Sequence, residues 1–280
     1  MLHLVTDGAA DVPLEWQKEF DIRVVPVSIQ FGDKSYTQSV ELNHDDFYRL
    51  VEETRKIPKT SQPTPHQFAD FYHQIAKPGD QILVVVVSGK LSGTFNSALT
   101  AVQDVGEQVE VRVFDSLSGS AGIALLCREA RLLERAGKSL EEIVARLEQM
   151  RLNIGIVLTL DTLEYARLSG RVGTLQAAMA SVLSVKPIAV VIDGVVNVVE
   201  KVRTRRASIE RVLEIAKEKI GDRLVNIAIV HARDPETGMA LMARAREIFQ
   251  VQDLIMTDLS ISIAANLGPG TVGIVFCPVE

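Results

Sequence analysis

The stretch "QILVVVV" (81–87) permits few folds. One polar residue opens it, and six aliphatic residues follow without interruption. A strand with one wet face alternates polar and apolar residues. An unbroken run of this length reads instead as a strand covered on both faces, which places it inside a sheet between helices. The neighbouring segments supply those layers. "LHLVT" (2–6) is strand-like, and "PLEWQKEF" follows at helical spacing with Pro13 suited to a first turn. "IRVVPVSIQF" and "KSYTQSV" read as a strand pair across "GDK". "NHDDFYRLVEET" opens on Asn43, a good N-cap. "KTSQPTP" (59–65) reads as a loop before the helix "HQFADFYHQIA". "SGTFNSALTAVQDV" and "SGSAGIALLCREARLLERAG" read as helices on either side of the strand "VEVRVFD". Ser139 caps "LEEIVARLEQM", with Glu142 at the capping-box position. This strand–helix rhythm predicts an α/β domain over residues 1–150, with a mostly parallel sheet and helices on both faces.

From about residue 151 the rhythm changes. "NIGIVLTLD" is strand-like, and "TLEYARLSG" and "TLQAAMASVLS" read as two helices across Gly170 and Gly173. "KPIAVVI" and "VVNVVEKVR" are strands joined by Asp193-Gly194, a hairpin signal. "SIERVLEIAKEKI", "LVNIAIVHA", a helix over 235–249, "QDLIMTDLS" and "TVGIVFC" complete the pattern, with "ANLGPGTVG" as a Gly-Pro-Gly turn between two strands. Residues 151–280 are expected to form an α+β domain.

Several function classes are disfavoured. The formal charge of −6 argues against sequence-independent nucleic-acid binding, which needs clustered Lys and Arg. No run approaches the roughly 18 residues of a membrane span, and the first residues lack the basic and apolar regions of a signal peptide. Cys127 and Cys277 read as two buried free thiols. A cytoplasmic protein with no integral membrane segment is expected. His3, His44, His66, His73 and His231 form no metal-ligand motif, and no metal or cofactor is expected.

"SGKLSGTFNSA" (88–98) concentrates hydroxyls, glycines and one lysine after the buried strand. It is neither a nucleophile elbow, because Gly89 precedes Ser92 by three, nor a P-loop, because Leu91 follows Lys90. Two readings remain for it. Helix-start N–H groups with Ser92 and Thr94 could hold a small anion, or Ser92 is an N-cap and Gly93 a packing glycine. "VTDGAAD" (5–11), "KTSQPTP" and "DSLSGSAG" (115–122) are further polar turns, and in a parallel sheet such turns gather at the C-terminal strand edge, where ligands bind. Asp7, Asp11 and Asp115 are the acids there. They either cap turns or serve as bases, so an enzyme acting on a small anionic or phosphorylated substrate, with Asp7 or Asp115 as base, stays open beside simple ligand binding.

"TSQPTP", "GKLSGTFNSA", "DSLSGSAG", "LEYARLSGRVG", "KVRTRRAS" and "LGPGTVG" occur in an order that resembles the DegV family over essentially the whole chain. That resemblance implies a two-domain carrier, not an enzyme, that binds one long-chain fatty acid with its carboxylate on hydroxyls and its tail buried. In some members it also implies presentation of the acid to a fatty-acid kinase, which makes an acyl phosphate for phospholipid synthesis. A kinase-independent lipid sensor is a further alternative. The resemblance assigns carboxylate binding to Thr60 and Ser92, with Ser61, Gly93 and Thr94 as neighbours. It puts Arg171 and Arg203 at the mouth of the site, toward a kinase. Gly8 and Ala9 stand where the family usually has Ser and Thr, and Asn266 stands where it usually has His. Asn266 can hydrogen-bond a carboxylate, but it cannot carry a positive charge or transfer a proton.

Overall fold

The structure is a computed structural model, and it describes residues 1–106, 108–172 and 185–279. The buried run is strand β6 (Gln81–Val86). It lies in a four-stranded, all-parallel sheet with β1 (Leu2–Asp7), β2 (Ile22–Val25) and β7 (Glu110–Asp115), in the order β2-β1-β6-β7. Ile82 to Val86 have no exposed surface, because helices cover both faces of the sheet. On one side α3 (Pro65–Ile75) and α4 (Thr94–Val105) bury Phe68, Tyr72, Ala98 and Ala101 against Val84 and Val86. On the other lie α5 (Ala121–Arg135) and α6 (Leu140–Asn153).

The strands after β7 form a six-stranded mixed sheet: β8 (Gly155–Thr159), β9 (Lys186–Ile192), β10 (Val195–Val202), β11 (Val225–His231), β12 (Val251–Asp258) and β13 (Val272–Pro278). Their order is β10-β9-β8-β13-β11-β12, and among these pairings only β11–β12 is parallel. Its outer face carries α8 (Arg205–Ile220) and α9 (Pro235–Ile248), which bury Val212, Leu213, Leu241 and Ala245. Its inner face packs on α5 and α6, so Leu83, Ile123, Leu147 and Val275 belong to one continuous core. The sheets divide the chain between β7 and β8, but the core does not.

Local signals behave as their chemistry dictates. Asn43 caps α2 (His44–Thr54) by accepting from the Asp46 N–H, and Ser139 and Glu142 form a reciprocal capping box at α6. Asp193 and Gly194 both take positive φ, as a tight hairpin between β9 and β10 requires.

Three expectations are corrected. "IRVVPVSIQF" is not one strand. Pairing with β1 ends at Val25, because Pro26 has no N–H to offer the ladder, and the chain turns into β3 (Ser28–Phe31) of a separate three-stranded sheet. "KTSQPTP" does not begin as a loop: β5 (Lys59–Ser61) pairs antiparallel with β3, opposite β4 (Lys34–Thr37). The Gly-Pro-Gly turn joins a helix, not a strand, to β13. That helix, α10 (Ile261–Leu267), is buried nearly all round and so shows no helical stripe in its sequence. Short helices α1 (Leu14–Glu19) and α7 (Glu164–Ser169) complete the set, and the helix expected over "TLQAAMASVLS" lies outside the described residues.

Candidate functional site

The C-terminal ends of β1, β6 and β7 emerge at one edge of the parallel sheet, and three aspartates organise the turns there. Asp7 is fully buried. Its two carboxylate oxygens accept from the N–H groups of Ala9 and Val87, both at 2.7 Å, which fastens the β1 turn to the end of β6. Burial pushes its pKa up to about 6, against the opposing pull of those two hydrogen bonds. Asp11 is likewise raised to about 6 by burial. It accepts from the Ser120 hydroxyl and, at 2.7 Å, from the Ser260 N–H. Asp115 accepts from the N–H groups of Gly89 and Leu117 at 3.2 and 3.0 Å. All three carboxylates accept from backbone N–H groups, as turn-capping acids do.

Above this edge lies a cavity of about 340 Å³, within the range of small-molecule sites. Four separate segments wall it. The β1 turn gives Asp7 and Ala9, β5 and its following residue give Thr60, Ser61 and Gln62, the β6–α4 turn gives Leu91, Ser92 and Thr94, and α10 gives Ser262, Ile263, Asn266 and Leu267. Val27, Val87, Val172 and Val196 add further apolar wall. β5 is carried to this position by its ladder with β3, which sets Thr60 opposite Ile29, and α10 packs directly on β5.

The polar groups form a linked cluster. Ser92 Oγ lies 2.8 Å from Thr94 Oγ1 and also accepts from the Thr94 N–H at 3.2 Å. Asn266 Nδ2 donates to the Ser262 carbonyl at 2.6 Å and lies 3.5 Å from Thr60 Oγ1. Thr60, Ser61, Ser92, Thr94 and Asn266 all line one cavity, although they come from three distant parts of the chain.

Gly93 behaves differently from its expected role. Its N–H donates to Gln62 Oε1 at 3.0 Å, and Gln62 Nε2 reaches Ser97 Oγ at 3.3 Å. The Gly93 N–H is given to Gln62 and the Thr94 N–H to Ser92, so these two amides are not open to an anion. The side-chain hydroxyls, not these amides, are what the cavity presents. Gln62 is the contributor that residue-level reading passed over. It stands inside the quoted "TSQPTP", but nothing local signals that it will reach across to another loop. Ser262 was missed with its helix.

Arg171 lies at the cavity rim. It is exposed, its guanidinium donates to the Ser169 carbonyl, and neighbouring Val172 bridges to Val196. Arg203 does not join it. It is exposed beyond the far end of β10, seven residues from Val196. At roughly 3.4 Å per residue, that is on the order of 20 Å away. Ser88 Oγ donates to the Gly194 carbonyl at 2.8 Å, pinning the β9–β10 hairpin tip beside the cavity. A Cβ on Gly194 would fall 2.3 Å from that hydroxyl, so the approach requires glycine. Among the described residues, no helix is long and apolar enough to cross a membrane.

Comparison with known proteins identifies the family. Residues 1–279 match the model of a family described as "Uncharacterised protein, DegV family". A DegV domain-containing protein of Streptomyces coelicolor is 32% identical, over 97% of this chain and 96% of its own. Among solved structures, a fatty-acid-binding DegV family protein of Thermus thermophilus has a TM-score of 0.91 at 29% identity, with 99% of each chain covered. A stearic-acid-binding protein of Eubacterium ventriosum has a TM-score of 0.93 at 26% identity, covering 99% of this chain and 98% of that one. With a family match over nearly its whole length and a relative above 30% identity, this chain belongs to the DegV family.

Proposed function

We propose that this protein binds one long-chain fatty acid, with its head on Thr60, Ser61, Ser92, Thr94 and Asn266 and its tail against the aliphatic wall. The observation that carries this reading is the pairing of a compact hydroxyl-and-amide cluster with Ala9, Val27, Leu91, Val172, Val196, Ile263 and Leu267 in one cavity. The fatty acids bound by similar DegV proteins support it. Burying about fourteen methylenes yields on the order of 11 kcal/mol gross, against an association cost on the order of 4 to 15 kcal/mol. Hydrogen bonds at the head add roughly 1.5 to 3 kcal/mol each if the head is charged. The tail supplies most of the affinity and the hydroxyls fix the orientation.

In this reading the protein is a cytoplasmic carrier without catalysis of its own. It presents the acid to a fatty-acid kinase, which moves the terminal phosphoryl group of ATP onto a carboxylate oxygen for phospholipid synthesis. Arg171 at the rim and Arg203 farther along β10 face that partner. Organic extraction of the purified protein followed by mass spectrometry tests the binding. A stoichiometric fatty acid is expected, and an empty extract from protein that also fails to take up added acid refutes it. Addition of a kinase and ATP tests the carrier role through acyl phosphate formation, which Arg171→Ala and Arg203→Ala should reduce without loss of bound lipid.

A further inference from the structure

The hydrogen bonds around Asn266 define the kind of head group the cavity accepts. Nδ2 donates to the Ser262 carbonyl at 2.6 Å, and its other hydrogen has Thr60 Oγ1 at 3.5 Å. This fixes the amide's orientation, since exchanging Nδ2 and Oδ1 would set two acceptors 2.6 Å apart. Oδ1 is then the polar atom left to the cavity, and it has no protein partner among the described residues. Asn266 therefore presents an acceptor to the ligand.

The other head contacts offer few donors. Thr60 has its own O–H free. Ser92 and Thr94 share one hydrogen bond, so one hydroxyl proton of the pair is left over. The Ser262 hydroxyl is committed to the Gly8 carbonyl at 2.9 Å. With the Ser61 hydroxyl, which also lines the cavity, that gives three donors beside one acceptor, and the acceptor is complemented only by a head that carries a donor of its own, C(=O)–OH or C(=O)–NH2. A carboxylate, which has acceptors only, does not complement it.

Charge agrees. Among the described residues, Asp7 of β1 and Arg171 are the titratable groups that line the cavity, and Arg171 is at the exposed rim. Of the elements packed on α10, α7 carries Glu164 and Arg167, both exposed, and Tyr165, which packs on Gly268. β5 carries exposed Lys59, and β3 carries no titratable group. Residues 173–184 contain no Lys, Arg or His. A carboxylate buried here would have, among the described lining residues, only Arg171 at the exposed rim as a cation and a buried aspartate among its neighbours, a costly arrangement.

Building on the fatty-acid reading, we propose that the site takes an acyl chain with an uncharged head, either the protonated acid or its primary amide, with the head's donor on Asn266 Oδ1 and its carbonyl on Thr60 and the Ser92–Thr94 pair. The test uses delipidated full-length protein, dodecanoic acid, dodecanamide and displacement of a fluorescent acyl probe across neutral and mildly acidic pH. At about pH 7.5 the amide should bind at least as tightly as the acid. The acid's affinity should fall about tenfold per pH unit as pH rises above its solution pKa. The amide does not titrate, so any slope it shows belongs to the protein, Asp7 first, and is subtracted. Asn266→His should shift preference toward the acid by about tenfold or more near pH 6, where the imidazole is cationic. Arg171→Ala should leave the acid-to-amide ratio unchanged. Acid binding tenfold or more tighter than amide at neutral pH, with a flat profile, overturns the proposal. Tight acid binding with no amide binding at any pH does the same and leaves the fatty-acid reading standing. Binding of neither ligand overturns both.

Discussion

Gly93→Ala tests how the two halves of the hydroxyl cluster are held together. Gly93 has φ −72° and ψ 5°, a conformation that alanine adopts freely, so the backbone resists nothing. The obstacle is Gln62. A Cβ at position 93 would lie 2.3 Å from its Nε2, 2.6 Å from its Oε1 and 2.8 Å from its Cδ. These atoms end a flexible side chain, so Gln62 swings out and the protein still folds. What goes with it is the bond from Gly93 N–H at 3.0 Å and the bond to Ser97 Oγ at 3.3 Å. Two neutral hydrogen bonds contribute about 1 to 3 kcal/mol, and because Gln62 is exposed, water recovers part of that, leaving about 1 to 2 kcal/mol. Gln62→Ala loses the same two bonds without a clash. The double variant should therefore be no worse than either single one, with a coupling energy of about 1 to 2 kcal/mol in urea unfolding. Ligand affinity should drop about 2- to 10-fold in all three, because the tether between the Thr60 and Ser92 segments is gone. Additive destabilisation, with the double variant losing the sum of the singles, would refute Gln62 as the obstacle.

Ser92→Ala should weaken ligand binding by about 2- to 10-fold, the value of one hydrogen bond, and complete loss of binding would contradict the division of labour between head and tail. Asp7 has a folded pKa raised to about 6 from 3.8, so its contribution to stability is greatest at low pH and is lost as pH rises through that interval. Asp7→Asn should lose a constant amount from one unsatisfied backbone N–H, yet gain relative to the parent between about pH 4 and pH 6 and change no further above it; melting curves across pH that run parallel would contradict this. Cys127 and Cys277 are buried, and burial pushes the Cys127 thiol up to about 12, so both should resist a thiol reagent until the protein is denatured. Rapid labelling of either under native conditions would show that its surroundings open.

Where local chemistry decides structure, the sequence was sufficient. Continuous aliphatic runs, the caps at Asn43 and Ser139, and Asp193-Gly194 each specify their element through nearest neighbours, and the parallel sheet follows from their order. The errors fall where distant contacts decide. Lys59–Ser61 is a strand only because β3 lies beside it, and β3 is free to do so only because Pro26 ends the previous ladder. α10 hides because a helix buried on every side has no polar face to produce a period. The candidate site divides the same way. Thr60, Ser92 and Asn266 were reached through family motifs, not through any spacing that predicts their proximity. Gln62 and Ser262 act through partners 31 and 254 residues away, Gly93 and Gly8, which no local pattern encodes.

Four of the segments that wall the cavity lie within residues 7–9, 60–62, 91–94 and 262–267. That spread has a consequence for the order in which the molecule assembles. Each wall segment rests on a ladder or turn that can close early, but the cavity itself needs contacts separated by some of the longest stretches of chain in the fold, and such contacts form late. During synthesis, a chain that has emerged only through β12 has three of the four walls and no lid of α10 to complete them. A lipid added at that stage meets a cavity that lacks the wall formed by α10. Once α10 docks, the same lipid favours the finished fold over every partly assembled one, by an amount set by its concentration relative to its dissociation constant.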